Sequence, residues 1–107
     1  MTVVGYCRLS RDEDKENFIS IEEQKRIIKD YAKSRNWNLK DDDFYIDDNI
    51  SGYTFNRPAF SKMMKKVKIG EIDVVIVKDL SRIGRHNGRV LVLIDEFKNM
   101  QKNLIAV

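Results

Sequence analysis

Val74-Val75-Ile76-Val77 is an uninterrupted run of β-branched residues. A strand with one wet face alternates apolar and polar residues. An unbroken run marks a strand covered on both faces, as in the middle of a parallel sheet. Working outward, three more stretches read as short strands: Val3-Val4-Gly5-Tyr6-Cys7, Phe44-Tyr45-Ile46 and Asn103-Leu104-Ile105-Ala106-Val107. Helical patterns lie between them. Ser20-Ile21-Glu22-Glu23 is a capping box, with Ser20 as N-cap and Glu23 three residues on. The helix it opens runs to about Arg35, is stopped by Asn36, and buries Ile21, Ile28 and Tyr31, with Ile27 and Ala32 at the margin of that face. Pro58 suits a first helical turn, where its missing N–H costs nothing. Phe60, Met63, Met64 and Val67 follow on one helical face, and Gly70 ends this second helix. A third helix over about Asn87 to Met100 carries Val90, Leu93, Ile94 and Phe97 on one face. Polar loops are expected from Arg8 to Asn17 and from Asp47 to Asn56. The order β-α-β-α-β-α-β predicts an α/β fold: an open, mostly parallel sheet with flanking helices and right-handed crossovers.

The chain has 107 residues, enough for one domain, 1–107, with a single core. With 42% apolar and 35% charged residues it fits a folded protein and argues against disorder. Its apolar runs are far too short to cross a bilayer, and Met1-Thr2-Val3-Val4-Gly5 lacks the features of a signal peptide. A cytoplasmic protein with no membrane partner is expected. A single cysteine, Cys7, and a single histidine, His86, exclude an internal disulfide framework and a Cys/His zinc cluster. Termination at Val107, inside a strand, reads as a fragment of a longer protein. Charge is uneven: the first fifty residues carry −3 and the remainder +6. A basic half calls for an anionic partner if its cations converge.

In open parallel sheets ligands bind beyond the carboxyl ends of the strands. That rule selects Arg8-Leu9-Ser10-Arg11, then Asp48-Asn49-Ile50-Ser51-Gly52 with Arg57 downstream, and Lys78-Asp79-Leu80-Ser81-Arg82-Ile83-Gly84-Arg85. Each segment brings at least one arginine and one serine to the same edge. Several planar guanidinium forks at one place match phosphate, and a serine among them can act as a nucleophile. The plainer readings are an ordinary turn serine at Ser10, and Arg82 and Arg85 paired with Asp79 or Asp95. Asp41-Asp42-Asp43 reads as a solvated turn rather than a metal site. Cys7 reads as an inert core thiol, and Trp37 as a packing residue. Neither a P-loop nor a G-x-G-x-x-G stretch is present, which argues against a nucleotide hydrolase. His86 is the sole imidazole, so a Ser-His-Asp triad would have to use it.

Tyr6-Cys7-Arg8-Leu9-Ser10 resembles the Y-x-R-x-S opening of the serine site-specific recombinases. Three further blocks match in order: Ser20-Ile21-Glu22-Glu23-Gln24, Asp48-Asn49-Ile50-Ser51-Gly52 with Arg57-Pro58, and Leu80-Ser81-Arg82-Ile83-Gly84-Arg85. The wording of Asn56-Arg57-Pro58-Ala59-Phe60 and Lys78-Asp79-Leu80-Ser81-Arg82 is most similar to the large members, the integrases and transposases of phages and mobile elements. The resemblance implies a resolvase-like catalytic core, bacterial or phage-encoded. Ser10 would attack a DNA phosphodiester to give a 5′-phosphoserine link. Arg8, Arg82 and Arg85 would hold the scissile phosphate, Ser51 and Arg57 would bind or position it, and Gln24 and Asp48 would organise that shell. Double-stranded DNA is the implied partner, with a dimer on DNA and a tetramer in synapsis. No metal and no cofactor is implied. Small relatives carry Asp where Ser81 stands, so an acid–base role for an acid there does not transfer to this chain. The family's dimerising helix and DNA-binding domains lie outside this stretch, so these residues alone are expected to be inactive. Two alternatives are a catalytically silent resolvase-like assembly module and a flavodoxin-like anion-binding regulatory domain.

Overall fold

Strands and helices alternate along the chain in a computed structural model that describes residues 1–10, 20–50, 58–78 and 87–107. The elements are β1 (Val3–Ser10), α1 (Ile21–Ser34), β2 (Phe44–Ile50), α2 (Pro58–Lys68), β3 (Val74–Val77), α3 (Asn87–Asn99) and β4 (Asn103–Ala106). A 3-10 turn, Asp41–Asp43, leads into β2. The strand pairings are parallel, in the order β2-β1-β3-β4. The expected α/β class and parallel sheet are therefore present, and Val74–Val77 is buried along its whole length.

Alternation along the strands builds two cores. On one face Val4, Tyr6, Val75 and Val77 pack against Met63, Met64 and Val67 of α2 and Phe97 of α3. On the other, Cys7, Val74 and Ile76 pack against Ile28 and Ala32 of α1, with Trp37, Phe44 and Ile46 at the margin. Each such aliphatic side chain taken out of water stabilises the fold by about 1.5–3 kcal/mol. Cys7 is a buried free thiol, as its place in the strand predicts. Trp37 packs at the core margin beneath the Arg35 guanidinium, 5.2 Å from its ring.

Gly5 faces α1 where β1 pairs with the start of β2, opposite Phe44. A Cβ there would sit 2.5 Å from Phe44 Cε1 and 3.1 Å from Ile28 Cγ2. The Phe44 ring is held in place from outside by Lys25 and Lys29, whose ammonium groups each lie 5.8 Å from its centre. Both lysines also pair with Asp41, whose carboxyl is held below its usual range, chiefly by the hydrogen bond from Lys29. Gly5→Val is expected to cost about 3 kcal/mol of unfolding free energy through this overlap. Phe44→Leu in the same chain should return part of that loss. Urea titration checks both, and a Gly5→Val chain as stable as the parent would show that the ring yields without cost.

The helix ends follow local chemistry. Ser20 Oγ accepts the Glu23 N–H at 3.1 Å, so the N-cap forms as its sequence predicts. The Glu23 carboxylate turns to Arg26, which holds its pKa low. Helices α1, α2 and α3 each close on a residue with positive φ: Asn36 (63°), Gly70 (86°) and Gln101 (59°). The paired bonds of a Schellman turn accompany each of them, for example Trp37 N–H to Ala32 O at 2.8 Å and Asn36 N–H to Lys33 O at 3.0 Å.

Two boundaries differ from the sequence expectation. β1 continues through Arg8, Leu9 and Ser10, and β2 through Asp47 to Ile50, where loops were expected. Parallel pairing supplies the reason: Cys7, Arg8 and Leu9 stand opposite Ile46, Asp47 and Asp48, with the register slipping before Ser10 meets Ile50. Backbone pairing holds these polar residues in the sheet although their side chains break the apolar pattern.

At the amino edge, Asp73 ties three segments together. Its carboxylate accepts the Thr2 N–H at 2.9 Å and the Lys102 ammonium at 2.7 Å, and its own N–H donates to Thr2 O. Lys102 and then Thr2 hold this carboxyl below its usual range. A carboxyl depressed by folding stabilises the fold above its unfolded value, near pH 4, and loses that contribution as pH falls through the folded value. Urea midpoints should therefore drop below about pH 4. Asp73→Asn should flatten that acid limb while lowering the neutral midpoint. Parallel curves for the two proteins would remove Asp73 as a source of the pH dependence.

Candidate active site at the carboxyl edge of the sheet

β1 pairs with β2 as far as Ser10, but with β3 only from Val3 to Gly5. Beyond Gly5 the two central strands part. Their connections also leave in opposite directions, β1 towards β2 and β3 towards β4, so the gap is a topological switch point. Arg8 and Ser10 lie on the β1 side of it, and Lys78 follows β3 on the other.

Where β3 no longer pairs with β1, a side chain of α1 takes its place. Gln24 Oε1 accepts the Arg8 N–H at 3.2 Å, and Gln24 Nε2 donates to the Arg8 carbonyl at 3.1 Å. A primary amide carries one acceptor and two donors, so it can satisfy both groups of a peptide at once. Gln24 is fully buried and Arg8 is 1% exposed. The glutamine thus fixes the backbone of the stretch that carries Arg8 and Ser10. Its position, one turn into a helix that buries Ile28 and Ala32 on the same face, fixes its direction.

The Arg8 side chain shares a sheet face with Tyr6 and with Asp47, its direct partner across the β1–β2 pair. A buried guanidinium demands hydrogen bonds and opposite charge, and Asp47 is itself 4% exposed. Asp47 is the functional-edge residue the sequence reading missed. It accepts the Tyr6 hydroxyl and two N–H groups at the start of α2. A signal for it exists. Helix α2 starts at Pro58 after Arg57, a side chain with donors only, so the residue at the usual cap position offers its first N–H groups no side-chain acceptor.

Among the predicted site residues, Arg8 and Gln24 are therefore brought together, and the Ser10 backbone ends the same strand, paired with Ile50. Asp48 lies on β2 opposite Leu9, exposed and in alternation with Asp47. Ser51, Arg57, Arg82 and Arg85 lie outside the described residues, as do Asp79, Ser81 and His86. Among the described residues no cluster of His, Cys, Asp and Glu is arranged to hold a metal ion. None of the described helices is long and apolar enough to cross a membrane.

The domain is an α/β domain in which a strand with a buried arginine ends on a serine at the switch point of a parallel sheet. The family follows from comparison: the model of the resolvase N-terminal domain matches residues 3–107, and the chain belongs to that family. The N-terminal catalytic domain of TP901-1 integrase is similar over 99% of this chain and 76% of that one, at 28% identity and a TM-score of 0.81. The C-terminal catalytic domain of ISC1926 TnpA, an IS607-like serine recombinase, is similar over 100% and 67%, at 24% identity and 0.76. The first open reading frame of transposon ISC1904 from Sulfolobus solfataricus P2 shares the fold, at 20% identity and 0.71 over 100% and 66%. The resemblance drawn from the four sequence blocks is thereby shown, and the family match decides against the flavodoxin-like alternative.

Proposed function

We propose that this domain carries out the cleavage and rejoining steps of site-specific DNA recombination. Ser10 Oγ attacks a DNA phosphodiester, loses its proton, and forms a bond to phosphorus as the bond to the 3′ oxygen breaks. The products are a 5′-phosphoserine link and a 3′-hydroxyl, whose oxygen takes up a proton as it leaves phosphorus. Attack by a 3′-hydroxyl on the phosphoserine reverses the step after strand exchange. The link conserves the energy of the broken ester, so the cycle balances without an outside energy source.

Arg8, Arg82 and Arg85 carry the charge of the transferring phosphoryl group, where each well-aimed donor in a dry site is worth roughly 10²–10³ in rate. Ser51 and Arg57 bind or position the phosphate. Gln24 and Asp48 organise the groups around it. The partners are double-stranded DNA and further copies of the protein, two on a site and four in synapsis, in the cytoplasm of a bacterial or phage-infected cell. The observation that carries this reading is the Gln24 clamp, which buries an amide to hold the one stretch of strand that bears Arg8 and Ser10. Such a clamp is what a nucleophile and its phosphate ligand require for alignment.

The test uses the full-length protein with DNA from the ends of its element, in excess EDTA, quenched in detergent. A covalent adduct on the 5′ side of the break, mapped to Ser10 by peptide mass, is expected. A preparation that binds this DNA and forms no adduct would point instead to the silent assembly module.

A further inference from the structure

We propose that Asp47 is a positioning residue of the cleavage step, a role that rests on the recombinase reading above. Its carboxylate joins three elements. Oδ2 accepts the Tyr6 hydroxyl of β1 at 2.9 Å and the Phe60 N–H of α2 at 3.0 Å, and Oδ1 accepts the Ala59 N–H at 3.0 Å. Tyr6 is fully buried, and its ring packs edge-on against Phe60 at 5.3 Å, so the hydroxyl and the helix start are fixed together.

Helices ordinarily receive such acceptors from their own N-cap residue. Here the residue before Pro58 is Arg57, which has no acceptor, and Pro58 has no N–H. Asp47 supplies such acceptors from a neighbouring strand, and its negative charge suits the positive end of the helix. A local cap would stabilise α2 wherever the helix sat. A cap supplied by β2, directly opposite Arg8, fixes the helix start against the strand that carries Arg8 and Ser10. In the sequence Arg57 directly precedes Pro58, two residues before the first N–H that Asp47 holds.

In the full-length protein the rate of Ser10-linked adduct formation at saturating DNA, the Kd for DNA and the urea midpoint are measured together. Asp47→Asn should lower the adduct rate roughly 10- to 100-fold, as a displacement of about an ångström does, with the Kd for DNA little changed. In an Arg57→Ala background the same substitution should cost less than about threefold, because both changes remove one alignment. Asp73→Asn, which loosens the opposite edge of the sheet, is the stability control and should leave the rate near that of the parent. If Asp47→Asn does not fold, Asp47→Glu, which keeps the carboxylate but moves it by one carbon, carries the same cycle. Losses that add fully in the Arg57→Ala background, or an Asp73→Asn rate that falls as far, overturn the role of Asp47 alone. No adduct from the unsubstituted protein overturns the recombinase reading and this role with it.

Discussion

Ser10→Ala, made in the full-length protein, is expected to abolish the covalent protein–DNA adduct while leaving the Kd for DNA within about twofold of the parent. The asymmetry has a physical basis. In the proposed reaction the hydroxyl oxygen is the atom that bonds to phosphorus, and a methyl group has no lone pair to offer, so the covalent route is closed rather than slowed. Affinity for duplex DNA is mainly a sum of phosphate contacts by cations, and the substitution removes none. Its structural cost is small as well: Ser10 is the last residue of β1, held through its backbone to Ile50. Detergent-resistant adduct and a filter or gel-shift affinity at fixed salt read the two quantities separately. A Ser10→Ala chain that still becomes linked to DNA would remove Ser10 as the nucleophile, and a chain that loses binding in parallel would make it a contact residue.

Gln24→Leu is expected to lower the unfolding free energy by about 2–5 kcal/mol. Leucine has similar bulk but no polar atoms, so the Arg8 N–H and C=O lose their partners inside the protein. A buried peptide group left without a hydrogen bond costs about 1–3 kcal/mol, and here two are stranded at once. Gln24→Glu should fall between parent and Leu, since it keeps the acceptor for the Arg8 N–H but sets an oxygen against the Arg8 carbonyl. The adduct rate should drop further than stability alone explains, because β1 is released where it carries Arg8 and Ser10. Urea titration of the three proteins decides the first point. A loss under about 1 kcal/mol for Leu would mean that another group satisfies the Arg8 peptide.

The sequence foretold the parts of this structure that follow from periodicity and local chemistry. The four β-branched residues of β3, the apolar stripe of α2, the Ser20 cap and the turn at Asn36 each rest on neighbours in the chain. The carboxyl ends of β1 and β2 are not legible in that way. Arg8 to Ser10 and Asp47 to Ile50 break the apolar pattern, and strand pairing alone keeps them extended. Asp47 escapes the sequence reading, which favours Asp48, for the same reason: with the strand taken to end at Ile46, nothing in the pattern says which acid faces inward. The alternation Tyr45, Asp47 does say so, but only when β2 is known to continue. Gln24 reads as an organising residue from the matching motif. Its bond to the peptide of Arg8, rather than to a side chain, depends on β3 stopping short, which no local signal records.

That β1 lies inside the sheet also bears on how the chain is made. Gly5 pairs with Phe44, and Val3 with Val74, so the first strand of this domain to be synthesised is completed by partners that follow much later. At about 5–20 residues per second the ribosome delivers β3 several seconds after β1. Throughout that interval Val3 to Cys7 is an apolar segment with open strand edges. No hairpin among the described strands can shelter it, because every pairing there is parallel and spans a helix. Folding must therefore wait for distant closure before hydrogen bonding rewards it, the regime of slow folding and exposure to aggregation. The strand that ends on Ser10 is the one the nascent chain most needs to keep apart from its neighbours until β3 arrives.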